Sequence, residues 1–175
     1  IYKFTNYNNK VLFIGNIKYL PNKLACFNFV FKTLKKLNLF YKNIKFIIIG
    51  NISMLDKFIL SLNNNVEIFE NKKITKKFYK NIICCICNVE IYTGQQTKIL
   101  NYLSLGIPSI SFIKFKSKNI DKSLLYYEND DELVKKIISL KENKKLSEKL
   151  VKNGFLSIKK FYNPQKVYRK YSRLL

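Results

Sequence analysis

The chain has 175 residues, 47% of them hydrophobic and 15% aromatic, enough apolar material for one folded domain with a full core and too much for a disordered segment. Its 33 Lys and Arg against 11 Asp and Glu give a formal charge of +22, and the absence of histidine excludes Ser-His-Asp and Cys-His catalysis built from this chain alone. Every basic residue except Arg169 and Arg173 is a lysine set among abundant Asn, Ile, Phe and Tyr, the surface an AT-rich coding background imposes; a dedicated nucleic-acid binder carries Arg clusters or basic faces interleaved with aromatics, so nucleic acid is not the expected partner.

In chain order, continuous Ile- and Val-rich runs alternate with amphipathic segments. "VLFIG", residues 11–15, has the pattern of a buried strand, and Pro21-Asn22 opens a helix over residues 24–40. "IKFIIIG", residues 44–50, is a second strand, after which Ser53 stands as N-cap of a helix over 54–62. A shorter strand covers 66–69, and Thr75 caps a short helix in "ITKKFYKN". "IICCIC", residues 82–87, is the fourth strand; a polar loop, "TGQQTK", leads from it into a helix that ends at Gly106. Pro108 introduces a fifth strand over 109–113, and a sixth covers 124–127. Glu128, Asp130, Asp131 and Glu132 precede a helix over 133–140, where they complement its dipole. Residues 144–175 are helical by pattern, with a break at Asn163-Pro164.

A βαβαβαβαβ succession whose strands are continuous rather than alternating predicts an α/β fold, a Rossmann-like doubly wound parallel sheet covered on both faces. One domain over residues 1–175 is expected, its sheet core at about 10–142 and its helical tail at 143–175. Cys26, Cys84, Cys85 and Cys87 lack the spaced pairs of a chelating site, so they read as core thiols; no metal or cofactor is expected. With no disulfide framework, no apolar run approaching the length of about 20 residues that a span requires, and no signal-peptide pattern, a cytoplasmic location is expected. The positive charge also fits peripheral contact with an anionic membrane at its inner face.

Ligands of open parallel sheets sit beyond the carboxyl ends of the strands. Three polar turns stand there: "GNIKYLPN", Gly50-Asn51, and "TGQQTK". The last says most. Gly94 admits close backbone approach, the amides of Gln95, Gln96 and Thr97 at a helix start favour an anion, and Lys98 adds a charge in the first turn. A capped helix start facing water is the structural alternative. Neither a G-x-G-x-x-G turn nor a G-x-x-x-x-G-K-[ST] loop is present.

"VLFIGNIKYLPNKLACFNFVFKTL", "IKFIIIG" and "TGQQTKILNYLSLGIPSISF", in this order and at these intervals, resemble the C-terminal half of a GT-B-fold retaining glycosyltransferase of the large family that includes many bacterial cell-surface polysaccharide transferases. The resemblance runs from about Lys10 to Phe161. It implies a domain that binds a nucleotide-diphospho-sugar donor, with no metal, for transfer with retention in polysaccharide or glycolipid synthesis. Gly15 and Asn16 then fall on the loop facing the diphosphate, Thr93 to Lys98 on the phosphate-facing helix start, and Phe69 and Glu70 near the base-binding edge. Many relatives carry Glu where this chain has Thr93 and Asn101. The second of these Glu residues bonds the ribose, a role that leaves Asn101 as a neutral partner for a hydroxyl. No catalytic residue is assigned. The family's acceptor-binding N-terminal domain is expected from another part of the protein or from a partner chain, and the alternative is a catalytically incompetent remnant or interaction module of the same fold.

Overall fold

The computed structural model describes residues 2–70, 79–89, 97–112 and 118–162. Strands β1 (Lys10–Ile14), β2 (Lys45–Ile49), β3 (Val66–Phe69), β4 (Ile82–Cys87), β5 (Ser109–Ser111) and β6 (Leu124–Tyr126) form one parallel sheet in the order β3-β2-β1-β4-β5-β6. The sequence explains the order. All six residues of β4 are buried, as are Phe46 to Ile49 of β2, so these strands need cover on both faces and occupy the interior, whereas the short β3 and β6 take the edges. The chain moves outward from β1 to β3, returns to β4 and moves outward the other way. A crevice therefore opens where β1 and β4 end side by side.

The helices are α1 (Leu20–Asn28), which passes through a π-helical segment (Phe29–Thr33) into α2 (Leu34–Phe40), then α3 (Met54–Ser61), α4 (Thr97–Ser104), α5 (Lys118–Asp121), α6 (Asp130–Glu142) and α7 (Lys144–Phe161). Alternate strand residues serve two cores. Val11, Phe13, Phe46 and Ile48 pack with Phe29, Leu34, Leu60 and Ile137, so α1, α2, α3 and α6 share one face. Leu12, Ile47, Ile49 and Cys85 pack with Ile99, Tyr102, Leu103 and Ile120, which puts α4 and α5 on the other, with Ile158 of α7 against them. Each fully buried Leu, Ile or Phe contributes about 1.5–3 kcal/mol, so the cores hold both layers to the sheet.

The strand expectations hold closely, and β3 and β4 fall on the residues expected. The first helix begins at Leu20, earlier than the expected 24, because Pro21 lies inside its first turn, where a missing N–H leaves no intrahelical bond unmade. Ser53 caps α3 as expected, its hydroxyl accepting from the Asp56 amide at 3.2 Å. Of the acids expected to precede α6, Glu128 does so, while Asp130, Asp131 and Glu132 form its first turn: Asn129 is the cap, accepting from the Glu132 amide at 3.0 Å, while the Glu132 carboxylate accepts from the Glu128 amide at 2.9 Å. The four cysteines are buried and unbonded to one another, and burial pushes their thiols above the ordinary range. The Thr75 helix and the Asn163-Pro164 break lie outside the described residues, and α5, four residues long, was too short to register as a periodic pattern.

Candidate functional site

The first loop of the site leaves β1 at Gly15. Its amide donates to the Ile49 carbonyl at 2.9 Å, and the Ile17 amide donates to the Asn51 carbonyl at 2.7 Å, which ties the loop against the end of β2. Gly50 makes this possible. Its φ of 150° lies in the region side chains avoid, and a Cβ there would stand 1.9 Å from the Gly15 carbonyl oxygen. Gly15 is itself a point of close approach, since its own Cβ would meet Asn22 Nδ2 at 3.1 Å and Lys98 Nζ at 3.2 Å.

Lys98 comes from the other side of the crevice, in the first turn of α4. Its ammonium sits 3.9 Å from the centre of the Phe13 ring and donates to Asn22 Oδ1 at 2.9 Å, while Asn22 Nδ2 donates to the Asn16 carbonyl at 2.8 Å. Asn22 thus couples the α4 lysine to the β1 loop. The ion pairs among the described residues join Lys23 to Asp56, Lys36 to Asp131, Lys45 to Glu67, Lys57 to Glu70 and Lys144 to Glu148; none involves Lys98, and α4 has no acid in its first turn. Burial therefore pushes the Lys98 ammonium below the usual lysine range. One turn later the fully buried Tyr102 accepts from the Ile14 amide at 2.8 Å, pinning α4 to the last residue of β1.

Ile14, Gly15, Tyr79, Lys98, Asn101 and Leu105 line a cleft of about 440 Å³, a volume within the range of small-molecule sites. Asn101 is exposed at its rim, one turn beyond Lys98. A wider groove of about 1020 Å³ runs between α2 and α6, but its Lys36 and Asp131 already form an ion pair at 2.6 Å.

The structure brings together Gly15, Thr97, Lys98 and Asn101 of the expected residues. Asn16 reaches the cluster through Asn22, and its own side chain accepts from the Lys18 amide at 3.1 Å. Phe69 and Glu70 stand at the same end of the sheet but two strands away: the Phe69 carbonyl accepts from Gly50 at 3.1 Å, and Glu70 pairs with Lys57 at 2.6 Å. Thr93, Gly94, Gln95 and Gln96 lie outside the described residues. Asn22 and Tyr102 were not expected at the site. Asn22 was already part of the quoted "GNIKYLPN" turn, whereas Tyr102 sits on an apolar helix face that reads as packing.

The family model described as Glycosyl transferases group 1 matches residues 8–143. Among solved structures, a mutant of S. aureus TarM in complex with fondaparinux, alpha-GlcNAc-glycerol and UDP is similar with a TM-score of 0.73 and 18% identity, over 98% of this chain and 36% of that one. HepE of Anabaena in complex with UDP and glucose is similar with a TM-score of 0.67 and 10% identity, over 95% of this chain and 48% of that one. The C-terminal domain of LpcC, a glycosyl transferase group 1 family protein from Francisella tularensis, is similar with a TM-score of 0.62 and 17% identity, over 89% of this chain and 86% of that one. The chain spans 36% of the TarM chain and 48% of the HepE chain, but most of that isolated C-terminal domain. No curated protein matches it.

Proposed function

The chain belongs to the glycosyl transferases group 1 family, and we propose that it is the donor-binding half of such an enzyme, holding the diphosphate of a nucleotide sugar beside Lys98 where β1 and β4 end. The observation that carries this reading is a half-buried ammonium, at the point where strand order reverses, with no carboxylate among the described residues to answer its charge. A diphosphate supplies that charge. Gly15 leaves it room to approach the loop, and Thr97 in the first turn of α4, where helix amides lack intrahelical partners, lines the same cleft.

In transfer with retention, the leaving nucleoside diphosphate gains negative charge as the glycosidic bond breaks. Lys98 and the amides of α4 are placed before that charge appears, so they stabilise it without reorganising. Asn22 holds the ammonium on the loop side of the crevice. Asn101, with both donor and acceptor atoms, serves the ribose hydroxyls from the rim, and the β3 end at Phe69 and Glu70 is the edge for the base. The acceptor wall comes from a further domain or a partner chain, and the product class is a cell-surface polysaccharide or glycolipid. UDP in the TarM and HepE complexes makes a uridine nucleotide the first probe. Asn101, neutral where many relatives have Glu, favours as a second reading a domain that binds the nucleotide and does not transfer.

Calorimetric titration with uridine and guanosine diphosphates and their sugar conjugates, at two salt concentrations, tests the proposal. Saturable binding that prefers one base and persists at the higher salt is expected. No binding, or binding erased by salt, would overturn it, because attraction by net charge alone is screened. Binding without sugar release or transfer, once an acceptor half is supplied, would establish the second reading.

A further inference from the structure

Successive residues of a parallel strand turn their main-chain groups toward opposite neighbours. Gly15 donates to Ile49 of β2, so Ile14 before it faces β4. The register between β1 and β4 nevertheless ends at Leu12 and Cys85, although β4 runs on to Cys87. A side chain makes the next rung. The Tyr102 hydroxyl accepts from the Ile14 amide at 2.8 Å and donates to the Ile14 carbonyl at 3.4 Å, so one phenol from α4 serves both groups that β4 leaves. Packing alone does not ask for it. Tyr102 belongs to the core that holds Leu12, Ile99 and Leu103, where a phenylalanine ring fills the same space.

Both walls of the cleft hang on that phenol. Ile14 is followed by Gly15 on the loop side, and Tyr102 stands one turn after Lys98 on the same side of α4, so one hydroxyl fixes the separation of glycine and ammonium. Burial pushes the phenol well above the ordinary tyrosine range, which keeps its proton in place for the carbonyl. We infer that Tyr102 is the positioning residue of the site: its hydroxyl, bonded to the end of β1, sets the width of the cleft and holds Lys98 over the Phe13 ring and against Asn22. With no exposed surface, Tyr102 itself touches no ligand. The consequence for nucleotide affinity rests on the donor-binding reading; the placement of Lys98 does not.

Tyr102→Phe removes one oxygen and keeps the ring, and its first readout needs no nucleotide. With the Lys98 ammonium 3.9 Å from the centre of the Phe13 ring, the ring current moves the ε-methylene proton signal of Lys98 upfield; the signal is assigned by its absence in Lys98→Met. In Tyr102→Phe most of that displacement is lost. The Ile14 amide, protected from hydrogen exchange in the unsubstituted chain, loses its protection as well. Calorimetry with uridine diphosphate then shows affinity reduced about tenfold by Tyr102→Phe, and adding Lys98→Met to that variant costs less than about threefold more, because both changes remove one contact. A purely packing tyrosine gives a different result: Tyr102→Phe keeps the Lys98 displacement and the affinity, and that outcome overturns the inference. So does an Ile14 amide that exchanges freely in the unsubstituted chain, or a loss of affinity that adds in full to that of Lys98→Met. If the unsubstituted chain takes up no uridine diphosphate while Tyr102→Phe still releases Lys98 from the ring, the donor reading fails and the positioning of the lysine stands.

Discussion

Two helix starts in this fold answer the same electrostatic problem in opposite ways. At α6 the chain supplies its own solution: Asn129 caps the first turn, Asp130, Asp131 and Glu132 complement the dipole, and Asp131 pairs with Lys36 while Asp130 accepts from Thr33 at 3.1 Å. At α4 the first turn carries a lysine in place of acids, and among the described residues that lysine finds an amide oxygen and an aromatic ring but no carboxylate. A helix start satisfied by its own acids is a structural joint; one that half-buries a cation beside a cleft, with no carboxylate among the described residues to meet it, is where the proposed diphosphate would sit. The difference separates packing from the proposed binding within one sheet.

The most damaging way to break the comparison is Gly50→Ala. The new Cβ would collide with the Gly15 carbonyl at a strained φ, so stability measured by urea unfolding falls by about 3 kcal/mol or more and nucleotide binding is lost with the loop. Lys98→Met sharpens it. Affinity for uridine diphosphate falls roughly tenfold to a hundredfold, the worth of a charged hydrogen bond, while the urea midpoint holds or rises because a half-buried ammonium with no carboxylate partner among the described residues has been removed. Asn129→Ala does the reverse, costing about 1 kcal/mol of stability as caps do and leaving the calorimetric affinity unchanged.

The smallest effect is in pH. Lys98 titrates below the ordinary lysine value in the free chain, and a bound diphosphate raises it again, so binding takes up a proton in the alkaline range. Affinity is full below the depressed value and declines as pH rises through it. Stability of the free chain runs the other way. Between the depressed value and the ordinary one, about 10.4, the unfolded state holds the extra proton, so stability rises with pH, a slope that Lys98→Met removes. Titrations and melts across that window check both signs.

The strands were legible because β2 and β4 are uninterrupted apolar runs, a pattern that only strands covered on both faces sustain at this length. Helix boundaries were less so: Pro21 reads equally as a marker before a helix and as a residue of its first turn, and the acids of α6 read equally as flank and as turn. In the site, Gly15, Thr97 and Lys98 stood out because small and charged residues at strand ends have local chemical meaning. The roles of Asn22 and Tyr102 did not, since each depends on a partner far along the chain: 76 residues separate Asn22 from Lys98, and 88 separate Tyr102 from Ile14. Residue type singled out the strand-end loop, but only the closed sheet shows what holds it.

The measurement that bears most directly on the central claim is a crystal structure of this chain with uridine diphosphate. The account predicts a β-phosphate oxygen within hydrogen-bonding distance of Lys98 Nζ, in the cleft between Gly15 and α4. A diphosphate bound elsewhere on the lysine-rich surface, with Lys98 still donating to Asn22 alone, would contradict it.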